Sequence, residues 1–392
     1  MTTEADVLAA TEKLLADFPP ADTKPQDFWG AQFDAGLAWV HFPVGKGGLG
    51  AEPKLQERID MRLRAAGAPI NFGINPIGVG MAAPTVLTHG SEELADRTLR
   101  TNFTCEEVWC QLFSEPGAGS DLAGLSTSAV RDGDEWILNG QKVWTTLAHM
   151  ATWGLVVART DPEAPKHKGL TYFVIDMHAP GVEVRPLRQI TGESEFNEIF
   201  MTDARIPDSW RLGEVGNGWA VSMTTLMNER TSIGGAVSQR GSGPISEAIR
   251  LWKQFAHDDA ARREELMKLW CDAEVGRLTN IRAMIGRTGG NPGPEGSVGK
   301  LAFAENNKKI YAFCMGLRGA DGMLISDYEN IRPTSALSIG SDITKSFLRS
   351  RANSIEGGTS EIMRNILGER VLGLPGEPRV DKELPWSKVP RS

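Results

Sequence analysis

The chain is poor in the residues that mark several large classes of protein. Its 392 residues include 4 cysteines, 6 histidines and 3 tyrosines. Cys105, Cys110, Cys271 and Cys314 form no CxxC pair and have no histidine at ligand spacing. They therefore read as reduced, mostly buried thiols, and no metal is assigned. No run of about 18 apolar residues occurs, so no membrane span is expected. Residues 1 to 20 carry Glu4, Asp6, Glu12 and Asp17 through an amphipathic pattern, without the basic start and apolar stretch of a secretory signal; the expected location is cytoplasmic. Positive charge is also scarce. Forty-two Lys and Arg against 50 Asp and Glu leave a formal charge of −8, and no lysine-rich tract breaks the trend, which opposes binding to nucleic acid. Both common nucleotide fingerprints are missing: there is no GxxxxGK[ST] loop, and no GxGxxG follows a strand.

The length is too great for one ordinary domain, and two or three are expected. Residues 1–105 mix helical periodicity with capping signals; Ser91-Glu92-Glu93-Leu94 reads as a helix start with acidic residues in its first turn. From 106 to 213 the texture changes to short β runs, including Trp153 to Arg159, Leu170 to Asp176, Val182 to Leu187 and Asn197 to Met201, separated by Gly and Pro turns. Helical patterning returns with Trp219 through Ile233 and continues to 374, interrupted by a Gly/Pro-rich stretch from Gly286 to Gly296. The tail, 375–392, holds four prolines and should be extended, free to wrap a neighbour. The expectation is an α+β multi-domain fold: an N-terminal helical domain, a central antiparallel β barrel or sandwich, and a C-terminal four-helix bundle.

The most informative segment runs from Trp109 to Thr146. Gln111 to Ser114 is a short strand-like run that meets the turn Glu115-Pro116-Gly117-Ala118-Gly119-Ser120-Asp121, whose glycines allow a sharp bend and close approach to a ligand. Downstream, Asp132-Gly133 and Asn139-Gly140 are hairpin dipeptides between runs carrying Val130, Trp136, Ile137, Val143 and Trp144, so a three-strand meander is expected.

In order and spacing, an α-rich start, the loop SEPGAGSD, a strand ending in KVWTT and the C-terminal RANSIEGGTSEIMRNILGERVLG resemble the acyl-CoA dehydrogenase family of flavoproteins over almost the whole chain. The resemblance implies FAD held between the β domain and the C-terminal helices. It implies α,β-dehydrogenation of an acyl-CoA to a trans-2-enoyl-CoA: a carboxylate takes the α proton while the β hydrogen leaves as hydride to flavin N5. Electrons then pass to an electron-transfer flavoprotein.

Two glutamates compete for the base. Family members take it either from the residue before the Gly-Thr of a YEGT-like loop or from the helix after the β domain. Registering Gly358-Thr359 here puts Gly357 at the loop position and Glu356 one residue early, whereas Glu229 and Arg230 match the helical alternative. Glu229 is therefore taken as the base, its pKa raised by burial under substrate and flavin. The main-chain N–H of Gly357 would stabilise charge on the thioester oxygen. Read without the family, Glu229 and Arg230 are ordinary helix-surface residues and Trp144 a core aromatic.

By the same resemblance, main-chain groups of Gln111, Leu112, Phe113 and Ser114 serve the flavin, with Gly119 in the turn. Trp144 packs on the isoalloxazine and Thr145 and Thr146 close the strand, the Thr146 hydroxyl reaching N5. Ser120 stands at the junction of flavin and pantetheine, and Thr359 and Glu361 lie near the ADP half. Arg230 and Glu356 join Ser120 on the substrate side. Gly73, Gly78 and Gly80 hint at room for a bulky acyl group.

Two departures bear on assembly. Where many homotetrameric members carry Arg-x-x-Phe-Gly, whose arginine grips the FAD pyrophosphate of a neighbouring subunit, this chain reads Trp252-Lys253-Gln254-Phe255-Ala256. The Gln-x-x-Gly-Gly-x-Gly segment is reduced to Gly316-Leu317-Arg318-Gly319-Ala320-Asp321-Gly322, leaving Arg318, Gly319 and Gly322 as its cofactor-binding remnant. Either Arg250, Lys253 or Arg318 substitutes in a homotetramer, or a paralogous subunit completes an α₂β₂ assembly like those acting on steroid side-chain thioesters. An acyl-CoA oxidase or flavin monooxygenase on the same fold, and a scaffolding subunit without turnover, are the other readings.

Overall fold

Local signals open the first helices. In the computed structural model, which describes residues 2–234, 239–285, 296–325, 327, 329–335, 342–378 and 381–390, α1 (Glu4–Asp17) begins at a capping box in which Thr3 and Asp6 exchange hydrogen bonds. α2 (Pro25–Asp34), α3 (Gln56–Ala65) and α4 (Ala83–His89) follow. α5 (Glu92–Phe103) starts where the Leu94 N–H donates to Ser91 Oγ at 3.1 Å, with Glu92 and Glu93 in its first turn as the sequence predicts. Buried Phe28, Leu37, Ile59 and Leu99 form one core with Trp109, Leu155 and Tyr172 of the central sheet.

The sheet contains β1 (Trp109–Leu112), β2 (Ser128–Asp132), β3 (Glu135–Thr146), β4 (Trp153–Arg159), β5 (Leu170–Asp176), β6 (Val182–Pro186), β7 (Phe196–Pro207) and β8 (Arg211–Leu212). Its order is β6-β7-β3-β2-β4-β5-β8, with β1 also beside β4. It is mixed rather than purely antiparallel, because β1 pairs with β4 in parallel across the β2–β3 excursion, a connection long enough for a crossover. β4 and β5 are buried on both faces: the second face packs Cys110, Trp136, Val156, Phe173 and Ile175 into a core of their own, which explains the unbroken apolar runs.

The Asp132-Gly133 turn falls where expected, but Asn139-Gly140 makes no hairpin. β3 runs straight through it, with a register shift between Leu138 and Gly140. A Cβ at Gly140 would lie 2.4 Å from Thr127 Oγ1, so the glycine serves close packing inside a bulge.

The C-terminal region is built from α6 (Gly218–Gly234), α7 (Pro244–Phe255), α8 (Ala260–Ile285), α9 (Gly296–Arg318), α10 (Ile343–Ser350) and α11 (Ser360–Ile366). α6 to α9 form the bundle, with α9 central, and Ile245, Leu251, Leu266, Leu269, Ile310 and Phe313 fill its core. Of the predicted interruption at Gly286 to Gly296, residues 286–295 lie outside the described residues. Residues 381–390 lie on this chain's own β domain. Trp386 donates its main-chain N–H to Ala164 O at 2.9 Å and its indole N–H to Gly124 O at 3.1 Å, and Arg159 sits 4.4 Å over its ring.

Candidate active site

The turn after β1 and the end of β3 form one wall. The Lys142 ammonium, fully buried, donates to Phe113 O at 3.0 Å, to Val157 O at 2.9 Å and to Glu115 Oε1 at 2.9 Å. Glu115 also accepts from the main-chain N–H groups of Ser126 and Thr127, and Ser114 O accepts from Val143 N–H. Burial alone would push the Glu115 carboxyl up; Lys142 and these donors outweigh it and hold the group down to about 2. The glycine turn is thus fixed at its base, while Gly119 and Ser120 at its tip are exposed and the site of a Gly119 Cβ is open space.

Beyond Lys142, β3 gains a residue against β7: Lys142 pairs with Ile199, but Thr145 pairs with Asn197. That bulge turns Trp144 out of the wall. Its φ of 62° is a strained value for a bulky residue, and its side chain is 55% exposed, edge-on to Phe196 at 5.7 Å. Thr146 is half-buried, and Thr145 Oγ1 is buried with no hydrogen-bond partner. Leu112 and Phe113 give their side chains to the core, so only their main chain is left for a ligand.

The facing element is α6. Thr225, buried, lies with its Oγ1 3.0 Å from both Tyr172 Oη on β5 and Thr85 Oγ1 on α4, locking the helix to the sheet and to the N-terminal domain. One turn further along the same face stands Glu229, half-buried. Its Oε1 lies 3.7 Å from the point a Cβ would occupy at Gly357. Gly357 and Gly358 have φ of +59° and +90°, conformations that only glycine adopts without strain. The side chain of Arg230 lies outside the described residues.

Glu356 is held elsewhere: Arg349 donates to both its oxygens, at 3.0 and 2.7 Å, and Asn353 adds a third bond at 2.8 Å. Arg349 in turn lies 5.7 Å over the Phe196 ring and 3.6 Å from Glu195, so the loop is connected to the Trp144 wall. Thr359 caps α11 by accepting from Ile362 N–H, and Glu361 pairs with Arg364. Arg318 donates to Thr344 Oγ1 at 3.1 Å, in the same region as Gly319 and Gly322. Trp252 packs against the bundle core. Gly78 opens no room, since a Cβ there would lie 2.2 Å from the Asn75 side chain. Lys142, Thr225 and Arg349 went unnoticed in the sequence; a lysine amid the apolar residues of a strand was the one available signal.

Residues here suit a flavin: an exposed, strained tryptophan, a buried threonine oxygen without a partner, and an open glycine turn. The three-part fold with this aromatic wall is that of an FAD-dependent oxidoreductase. The chain belongs to the acyl-CoA dehydrogenase family: the models for its middle domain and its C-terminal domain match residues 110–204 and 216–372. It is 36% identical to the acyl-CoA dehydrogenase IpdE1 of Mycobacterium tuberculosis over 88% of this chain and 86% of that protein. It is 40% identical to FadE34 of the same organism over 87% of this chain, but spans only 45% of FadE34's length. Among solved structures, the ChsE4-ChsE5 complex from M. tuberculosis superposes with a TM-score of 0.70 at 26% identity, covering 95% of this chain and 98% of that one. Among the described residues no helix is long and apolar enough to cross a membrane.

Proposed function

We propose that Glu229 is the base of an acyl-CoA α,β-dehydrogenation. The observation that carries this reading is the approach of its carboxylate to Gly357, the loop position from which other family members supply theirs. FAD, when bound, accepts the β hydrogen with its electron pair as hydride. The chain's own residues do the rest. Glu229 takes the α proton, and the C–H electron pair forms the new double bond. The Gly357 N–H donates to the thioester oxygen as charge grows there, and a preorganised donor of this kind is worth several kcal/mol. Trp144 backs the ring system, with Thr145 and Thr146 beside it, while Gly119 and Ser120 border the thioester's path. Thr359 and Glu361 serve the distal half of the cofactor. Trp144 and Glu229 together favour a catalytic chain over a scaffold, and transfer to an electron-transfer flavoprotein over reaction with oxygen.

Substrate and assembly follow from the relatives. A structure described as the Tcur3481-Tcur3483 steroid ACAD matches with a TM-score of 0.68 at 26% identity, and ChsE4-ChsE5 is likewise a complex of two named chains. These support a bulky, steroid-bearing acyl-CoA and an α₂β₂ assembly with a paralogous subunit. Trp252, committed to the bundle core, supports the same reading, because it leaves a cofactor pyrophosphate to be paired by another group.

Glu229→Gln tests the assignment. It should bind flavin and thioester normally and slow flavin bleaching by about 10²- to 10⁴-fold; undiminished bleaching would move the base to Glu356. A thioester panel of short straight, branched and steroid-bearing acyl-CoAs, assayed with and without a candidate partner, reads the substrate. FAD per chain in the isolated protein reads the assembly: full occupancy in a stable homotetramer rejects the partner.

A further inference from the structure

The two-glycine loop is held from beneath by one side chain. Lys300, half-buried on α9, donates from its ammonium to the main-chain carbonyls of Asn353, at 2.9 Å, and of Gly358. These two carbonyls bracket residues 354–357, the stretch that ends at Gly357. Asn307, two turns along α9, donates to Asn353 Oδ1 at 2.6 Å, and Asn353 donates onward to Glu356. Nothing within the loop itself does this work, since consecutive glycines at positive φ leave its backbone free to adopt other conformations. Lys300 contacts neither the Trp144 wall nor Glu229 in any hydrogen bond of the structure, so it acts through the main chain.

We infer that Lys300 is a positioning residue for the dehydrogenation, fixing the Gly357 N–H against the thioester oxygen opposite Glu229. The inference rests on the function proposed above. A fixed ammonium beneath the loop also adds positive potential where negative charge develops, and a displacement of about 1 Å in such a site costs on the order of 10²-fold in rate. Lys300 itself titrates below the usual lysine value, because burial outweighs the attraction of Glu356, Glu305 and Glu361.

Lys300→Met and Lys300→Arg, in the full chain with its partner where one is required, test this. Three readouts separate positioning from mere support: flavin content, amide hydrogen exchange across 354–358, and the long-wavelength band formed when a 3-thia-acyl-CoA loses its α proton beside oxidised flavin. Lys300→Met should keep its flavin and KM, exchange the loop amides faster, lose most of the band and lower kcat by about 10²-fold; Lys300→Arg should recover the larger part. Unchanged kcat and band in Lys300→Met would overturn the inference. So would equal loss of flavin and melting temperature in both variants, which marks a structural role alone. If the parent protein itself neither bleaches nor forms the band with any thioester, the proposed function fails instead.

Discussion

The Lys142 ammonium lies 2.9 Å from Glu115 Oε1, and neither side chain reaches solvent beyond a few per cent. This pair ties the glycine turn after β1 to the strand that presents Trp144, joining the two halves of the flavin wall through 27 residues of intervening chain. Removing one partner strands the other as a buried charge. Lys142→Met should therefore destabilise by about 3–5 kcal/mol in denaturant unfolding, and a Glu115→Gln/Lys142→Met double variant should lose clearly less than the sum of the single changes.

The same pair makes a pH signature. The Glu115 carboxyl is held at about 2 in the folded chain against an ordinary 4.5, so its contribution is fully present above about pH 4.5 and drains away as pH falls toward 2. The depressed direction means acid, not base, removes it. Its size is on the order of 3 kcal/mol. Unfolding free energies at pH 7, 4.5 and 3 should fall across the last interval in the parent chain and stay flatter in Glu115→Gln.

Much of this was legible in advance, for identifiable reasons. Strands β4 and β5 announced themselves as apolar runs between turn residues, and the cap at Ser91 followed from its acidic neighbours. Asn139-Gly140 misled because a hairpin dipeptide and a packing glycine look alike until Thr127 is seen against it. The parallel pairing of β1 with β4 depends on where the chain returns after a hairpin, which local composition does not encode. Lys142, Thr225 and Lys300 were illegible because each acts on main chain or hydroxyl groups far away in sequence. Glu229 was readable only through register with Gly358-Thr359; its own neighbours look like any helix surface.

Trp144 gives a test that separates binding from folding. More than half exposed, it contributes little to the core, so Trp144→Ala should leave the stability of the flavin-free chain within about 0.5 kcal/mol of the parent. A lost aromatic platform is worth about 0.5–1.5 kcal/mol, so FAD should be released up to roughly tenfold more readily, measured by flavin fluorescence on dilution. A large loss of stability with unchanged flavin retention would make Trp144 a structural residue.

If helix and loop address one point in the site, the base can be moved between them. The position a Cβ would take at Gly357 is 3.7 Å from Glu229 Oε1, so a carboxylate grown from the loop heads for the space the helical carboxylate fills. In a Glu229→Gln background, Gly357→Glu should restore bleaching by at least about tenfold, less than fully because the second methylene approaches from a different side. The backbone at 357, with φ of +59°, charges about 1–2 kcal/mol for any side chain, visible as a lowered melting temperature. Gly357→Gln carries the same strain without a base and should restore nothing. Equal rates in these two double variants would mean that proximity to Gly357 does not place Glu229 over the α carbon.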